Sequence, residues 1–345
     1  MAGATISDIA KAAKVSTATV DRALNGRAGV SAANIQRVLT AARDLGYLPS
    51  EGMIILPSRP TNLEFFIPAG QNAFLSEVAS ILAQFAESLP LVGTCRVHLV
   101  SGIGPQAMTR ALENVSENTD GIGLVAVDHP EIQGQVDNIV AAGVRAVTIA
   151  SDIPASARSA YVGVDNRVAG RTAAQLMGMA LGQKEGGRIA LFLGSHSFHG
   201  HRERELGFRE TMASRFPQLR LLDPIETGEE NNRSRRALAA LMRREPDLVG
   251  TYCIGGGRNG IVEAVRACPQ ENAPFLVLHD LSKDVASWLC SGHVDAVIDQ
   301  NARLVAEQSV IRLLGSIAAS SPILPIQHIE PRIVLRENIP QLHGS

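Results

Sequence analysis

Residues 16–25 read STATVDRALN, and helical spacing divides their side chains into two sets. Val20, Ala23 and Leu24 fall on one face, where they can be buried, and Thr17, Ala18, Asp21 and Arg22 fall on the other. A guanidinium such as that of Arg22 can fork onto O6 and N7 of guanine, so this outer face offers what a recognition helix presents to a major groove. Thr17, Ala18 and Arg22 are the expected base readers. Ser16, Thr19, Asn25 and Lys14 flank them with short hydroxyl, amide and ammonium groups suited to phosphate oxygens. Asp21 is expected either to hold Arg22 or to accept from a cytosine N4 amine.

Two further helices are needed to position that one. Ile6, Ile9, Ala10 and Ala13 recur at i, i+3, i+4 and i+7, with Thr5 as a cap and Asp8 near the positive end of the helix dipole. After the second helix, capped by Ser16, a third follows from Ser31 with Ile35, Val38, Leu39, Ala42 and Leu45 inward. Three such helices make a small unit with just enough core to fold.

The segments TISDIA, VSTATVDRALN, VS then RVLTAA, and LGYLP resemble the N-terminal signature of the lactose-repressor family of bacterial transcription regulators. The resemblance is close over the first fifty residues and looser over most of the rest. Two positions depart from it: Lys14 stands where the turn usually has Gly, and Asp21 where the helix usually has Ser. The resemblance implies a sequence-specific repressor of carbohydrate genes, a homodimer on palindromic double-stranded operator DNA. A small sugar, polyol or sugar-acid effector would control it. It contributes Thr5, Lys14, Ser16, Thr17, Ala18, Thr19, Arg22, Asn25 and Leu56 to the DNA side.

A length of 345 residues, 45% hydrophobic and 19% charged, suits a folded chain of two or three domains. Cys95, Cys253, Cys268 and Cys290 are scattered without metal-ligand spacing and read as reduced thiols. With no leader pattern and no long apolar run, the expectation is a cytoplasmic protein without a membrane partner. The net charge of −2 conceals an asymmetry, because residues 1–60 carry seven basic against four acidic side chains. A basic head on an acidic body turns the head toward phosphates, and its modest charge calls for a dimer.

From residue 61 the pattern becomes apolar runs at 63–67, 97–100, 122–127, 146–150, 189–193, 249–254, 275–278 and 294–298. Helix-period segments alternate with them at 77–87, 132–142, 169–181, 205–215, 235–244 and 302–314. Such alternation predicts parallel sheets covered on both faces, and the strand number predicts two doubly wound lobes with ligands at the strand C-termini between them. The expected fold is an all-α helix-turn-helix domain (1–48), a linker (49–60) and an α/β body (61–345). The resemblance adds a periplasmic sugar-binding-protein-like body, with lobes at about 61–163 plus 301–323 and about 164–300 plus 324–345. Within the linker it implies a hinge helix that forms on DNA and wedges Leu56 into the minor groove, against which stand Gly52, Glu51 and the alternative of an apolar linker strand.

In the body, the residues 194–208 follow a strand and open a helix, which faces His196 and Arg204 to the cleft. The resemblance assigns Arg204, three residues before Gly207-Phe208, to clamping sugar hydroxyls, as a planar fork can. It also carries over Asn72, Phe74, Asp152, Asp280 and Gln300 as groups at strand ends that meet a polyhydroxylated ligand. Where the family has Asn-Asp, this chain has Gly255-Gly256-Gly257-Arg258-Asn259. Gly256 could offer bare N–H groups to an acidic or phosphorylated sugar, and Asn259 could restore the missing amide. His196, His199 and His201 lack the spacing of a helical zinc pair, so no metal and no cofactor is expected. The absence of a Gly-x-Ser-x-Gly elbow, a Walker loop or a paired-carboxylate pattern argues against an enzyme. The remaining alternative is a cytoplasmic solute-binding sensor without operator function.

Overall fold

A computed structural model describes residues 5–24, 29–45, 56–70, 72–182, 186–318 and 328–340. The head consists of α1 (Ile6–Ala13), α2 (Thr17–Leu24) and α3 (Ala32–Asp44). Helix α1 begins where Thr5 and Asp8 cap each other: Asp8 N–H donates to Thr5 Oγ1 at 3.4 Å and Thr5 N–H donates to Asp8 Oδ2 at 2.9 Å. It ends at Lys14, whose left-handed backbone (φ +53°) turns the chain toward α2. Ser16 Oγ accepts from Thr19 N–H at 3.1 Å and so caps α2.

Ile9, Ala10, Ala13, Val20, Val38, Ala41 and Ala42 form a core belonging to the head alone. Two residues expected inside are not: Ile6 is 36% exposed and Leu45 41%. Ile6 opens α1 and Leu45 follows α3, at ends where so small a unit has no interior left.

The first body sheet is parallel, in the order β2-β1-β3-β4-β5, from β1 (Thr61–Ala69), β2 (Val92–Ser101), β3 (Gly121–Leu124), β4 (Arg145–Ile149) and β5 (Ala160–Val162). Its crossovers include α4 (Ala73–Glu87), α5 (Pro105–Leu112) and α6 (Pro130–Ala141). Strand β1 shows why the run is nearly all apolar: Leu63, Phe65 and Ile67 enter one core cluster and Phe66 another, so both faces are covered.

Helix α7 (Asn166–Leu181) leads to the second sheet, built from β6 (Arg188–Leu193), β7 (Arg220–Leu221), β8 (Ile225–Glu226), β9 (Leu248–Cys253), β10 (Phe275–His279), β11 (Ala296–Asp299) and β12 (Arg332–Val334). Its order is β12-β11-β10-β9-β6-β7, with β8 also on β6 and β12 antiparallel to β11. Between these strands run α8 (His199–Arg215), α9 (Asn231–Arg244), α10 (Arg258–Arg266) and α11 (Lys283–Cys290). Helix α12 (Ala302–Ala318) returns to pack on α4, β3, β4 and β5 of the first sheet.

Helices α7 and α8 meet backbone to backbone. A Cβ on Gly170 would stand 2.0 Å from the carbonyl oxygen of Arg204, which only glycine avoids.

Candidate functional site

Strand ends of both sheets converge on one cavity between them. The first sheet supplies Asn72 and Phe74 after β1 and Ala150 and Ser151 after β4. The second supplies Phe198, His201 and Arg204 after β6, Glu229 after β8, Gly255 after β9, Asp280 after β10 and Gln300 after β11. This is the position at which doubly wound sheets bind ligands, because only there do loops from every strand meet. Three non-glycine wall residues, Ala150, Glu229 and Asp280, have left-handed backbone (φ 59°, 67° and 64°). Such conformations cost about 1–3 kcal/mol each, so the fold concentrates strain at this cavity.

Arg204 is 4% exposed and is fixed on two sides. Its Nε donates to Asn166 Oδ1 at 2.7 Å and its Nη1 to the Ile254 carbonyl at 2.8 Å. Asp280 accepts from Gln300 Nε2 at 2.7 Å and faces Arg258 Nη1 at 3.5 Å. Burial raises its pKa, against the pull of Arg258 and Arg204. Gln300 Oε1 is buried without a hydrogen-bond partner among the described residues, so it can accept from a donor in the cavity.

The lobes also touch one another around the cavity. Asn72 Nδ2 donates to Glu229 Oε2 at 2.8 Å, and Arg258 Nη2 donates to Asn72 Oδ1 at 3.4 Å. Phe198, from the second lobe, is 5% exposed and packs into a core cluster of the first. Beside it Asp128 N–H donates to the Ser197 carbonyl at 2.8 Å, and Arg202 Nη2 pairs with Asp128 Oδ2 at 2.8 Å.

Of the residues expected to meet an effector, Asn72, Phe74, Arg204, Asp280 and Gln300 line the cavity together. Four others lie off the cavity wall. Asp152 turns its carboxylate away to Arg158, Thr148 Oγ1 (2.6 Å) and the Ile153 N–H (2.8 Å), while its neighbour Ser151 takes the wall position. Burial opposes the Asp152 charge, but these bonds outweigh it and lower the pKa. His196 is held outside the cavity wall between Glu226 (2.5 Å) and Glu205 (2.8 Å). Gly256 has its N–H occupied by Glu229 Oε1 at 2.9 Å, and Asn259 is exposed on α10. No cluster of three His, Cys, Asp or Glu side chains among the described residues is arranged to hold a metal ion.

Glu229 and His201 are wall residues that sequence reasoning did not pick out. Strand β8 is two residues long, too short for alternation to show, and the only signal ahead of Glu229 is the Gly228 turn. His201 was visible only as one of three nearby histidines. Burial depresses its pKa, against the opposing pull of Glu229.

On the DNA side, Thr5, Lys14, Ser16, Thr17, Ala18 and Arg22 are exposed and Thr19 is half-buried. Asn25 lies outside the described residues, as do residues 46–48 of the head and 49–55 of the linker. Leu56 is half-buried against the main core of the body, so reaching a minor groove requires it to leave that contact.

Residues 63–315 match the periplasmic binding protein domain, and residues 5–50 match the bacterial regulatory proteins of the lacI family. The chain belongs to the periplasmic binding protein domain family and carries at its N-terminus a helix-turn-helix domain of the lacI family. It is similar to the HTH-type transcriptional regulator DegA of Bacillus subtilis, 26% identical over 211 residues, and spans 60% of that relative's length by 60% of its own. It is similar to the HTH-type transcriptional repressor CytR of Escherichia coli at 38% identity over 96 residues, 27% of this chain and 28% of CytR. In fold it resembles an ABC transporter solute-binding protein from Burkholderia graminis, solved in complex with D-arabinose. The TM-score is 0.75 at 19% identity, covering 84% of this chain and 99% of the other.

Proposed function

We propose that this chain is a cytoplasmic transcriptional repressor that binds palindromic operator DNA as a homodimer and is switched by a small polyhydroxylated effector in the cleft. The observation that carries the effector reading is the cavity itself. Polar groups from strand ends of both sheets, including the unpartnered Gln300 Oε1, surround a space walled by the rings of Phe74 and Phe198. Alternating hydroxyls and apolar ring faces of a sugar match such a mixture of buried acceptors, donors and aromatic surface. The head supports the DNA reading through the exposed Thr17, Ala18 and Arg22 of a capped second helix. A ligand bridging the lobes shifts the operator affinity only by its differential affinity for the two lobe arrangements, which gives induction or corepression according to sign.

Thermal-shift screening against sugars and polyols, followed by gel shifts on selected DNA with and without the hit, tests both halves. A cleft ligand at a hundredfold excess over Kd stabilises by about 2.7 kcal/mol. Selection from random duplexes that enriches no palindrome, or a hit that leaves the gel shift unaltered, overturns the reading.

A further inference from the structure

We infer that Glu229 is a specificity residue that confines the cleft to electroneutral polyhydroxylated ligands and rejects acidic and phosphorylated ones. The inference rests on the effector reading above and names the ligand class within it.

A glycine turn between a strand and a helix ordinarily offers its N–H groups to an anion. Here that role is already taken: Glu229 Oε1 accepts from the Gly256 N–H at 2.9 Å, and its Oε2 accepts from Asn72 Nδ2 at 2.8 Å. The close fit is shown by Gly255 and Gly256, where a Cβ would lie 2.6 Å and 2.1 Å from the Glu229 carboxylate oxygens. The carboxylate is therefore seated on the turn as a bound anion would be, supplied by the protein.

The two buried guanidiniums at or near the cavity are each partly engaged by the protein itself. Arg204 uses Nε and Nη1 on Asn166 and Ile254, and Arg258 uses Nη1 on the carbonyls of His279 and Asp280. Asp280 lies 3.5 Å from Arg258 Nη1, and the Glu229 carboxylate shares the cavity wall with Arg204. His201, 3.9 Å from Glu229, is half-buried beside them. An incoming anion thus meets a like charge where it would otherwise find N–H donors, whereas a neutral hydroxyl can donate to Glu229, Asp280 or Gln300 Oε1.

The test uses the full chain and matched probes of one carbon skeleton: D-galactose with D-galacturonate, D-glucose with D-gluconate, and D-ribose with its phosphate monoester. Melting is followed for the wild type, Glu229→Gln and Glu226→Gln, the last altering a carboxylate that faces His196 outside the cavity. In the wild type at least one neutral probe raises the melting temperature and binds at least about 100-fold more tightly than its charged counterpart. Glu229→Gln loses most of that preference and Glu226→Gln keeps it. Should Glu229→Gln not fold, Glu229→Ala is read in the same way. Equal response to a neutral probe and its acid in the wild type, or unchanged preference in the Glu229 variant, overturns the assignment and leaves the effector reading standing. Silence of every protein toward every probe counts against the effector reading itself, and the assignment falls with it.

Discussion

Arg204 Nε donates to Asn166 Oδ1 at 2.7 Å, so the guanidinium at the centre of the cleft is also a strut between α8 and α7. Removing it unpairs two buried acceptors, Asn166 Oδ1 and the Ile254 carbonyl. Arg204→Ala is therefore expected to weaken effector response and also to lower unfolding stability, by about 3 kcal/mol. Urea unfolding checks the second effect; unchanged stability would show that the two bonds carry no structural weight.

The contact of α7 with α8 makes a second position decisive. A methyl group at Gly170 collides with the Arg204 carbonyl, and backbone cannot step aside as a flexible side-chain tip can. Gly170→Ala is expected to cost about 2–3 kcal/mol by overpacking and to weaken ligand binding through displacement of α8. A variant with wild-type melting and wild-type affinity would contradict this geometry.

His196 makes stability depend on pH. Burial disfavours its charge, but the bonds to Glu226 and Glu205 outweigh that and raise its pKa above 6.5. The imidazolium is thus favoured in the folded chain, and its contribution is fully present below the unfolded value and lost as pH rises through the higher folded one. The stability difference between wild type and His196→Ala should be largest between the carboxylate range and pH 6.5, and should shrink on going alkaline. A difference that grows with pH would reverse the assigned sign.

Lys14 sits in the left-handed region without the freedom of glycine. Lys14→Gly is expected to stabilise the head by about 1 kcal/mol, read from amide exchange in α1 and α2. If the ammonium meets a phosphate, the same variant binds all DNA sequences more weakly and lowers the salt slope by about 1. Gain of stability with undiminished DNA affinity would remove Lys14 from the phosphate set.

Arg22 is exposed on α2 and is the side chain best suited to a guanine. Arg22→Ala should relax preference at one position of each half-site by about 1–3 kcal/mol, while affinity for unrelated DNA falls much less. Selection experiments that return the same palindrome for wild type and variant would defeat the assignment.

The order of elements in this protein was written in local sequence. Thr5, Ser16, Ile9 and Val20 announce the head through capping and helical period, and the apolar runs announce buried parallel strands, because both signals need only neighbouring residues. Helices α5 and α11 escaped that reading at eight residues each, as did β5, β7, β8 and β12 at two or three. For the cleft, the resemblance to a known family carried over Asn72, Phe74, Arg204, Asp280 and Gln300, and the fold places these five on the cavity wall. What tertiary structure alone decided was the direction and company of each side chain. Asp152 and Ser151 are adjacent in sequence, yet opposite orientations send one to Arg158 and the other to the cavity. Glu229 and Gly256 are 27 residues apart, and only the neighbouring of β8, β6 and β9 in the sheet brings a carboxylate onto the glycine turn. Sequence fixes which groups a strand end carries; long-range packing fixes which of them face one another, and the charge of the cleft follows from that pairing.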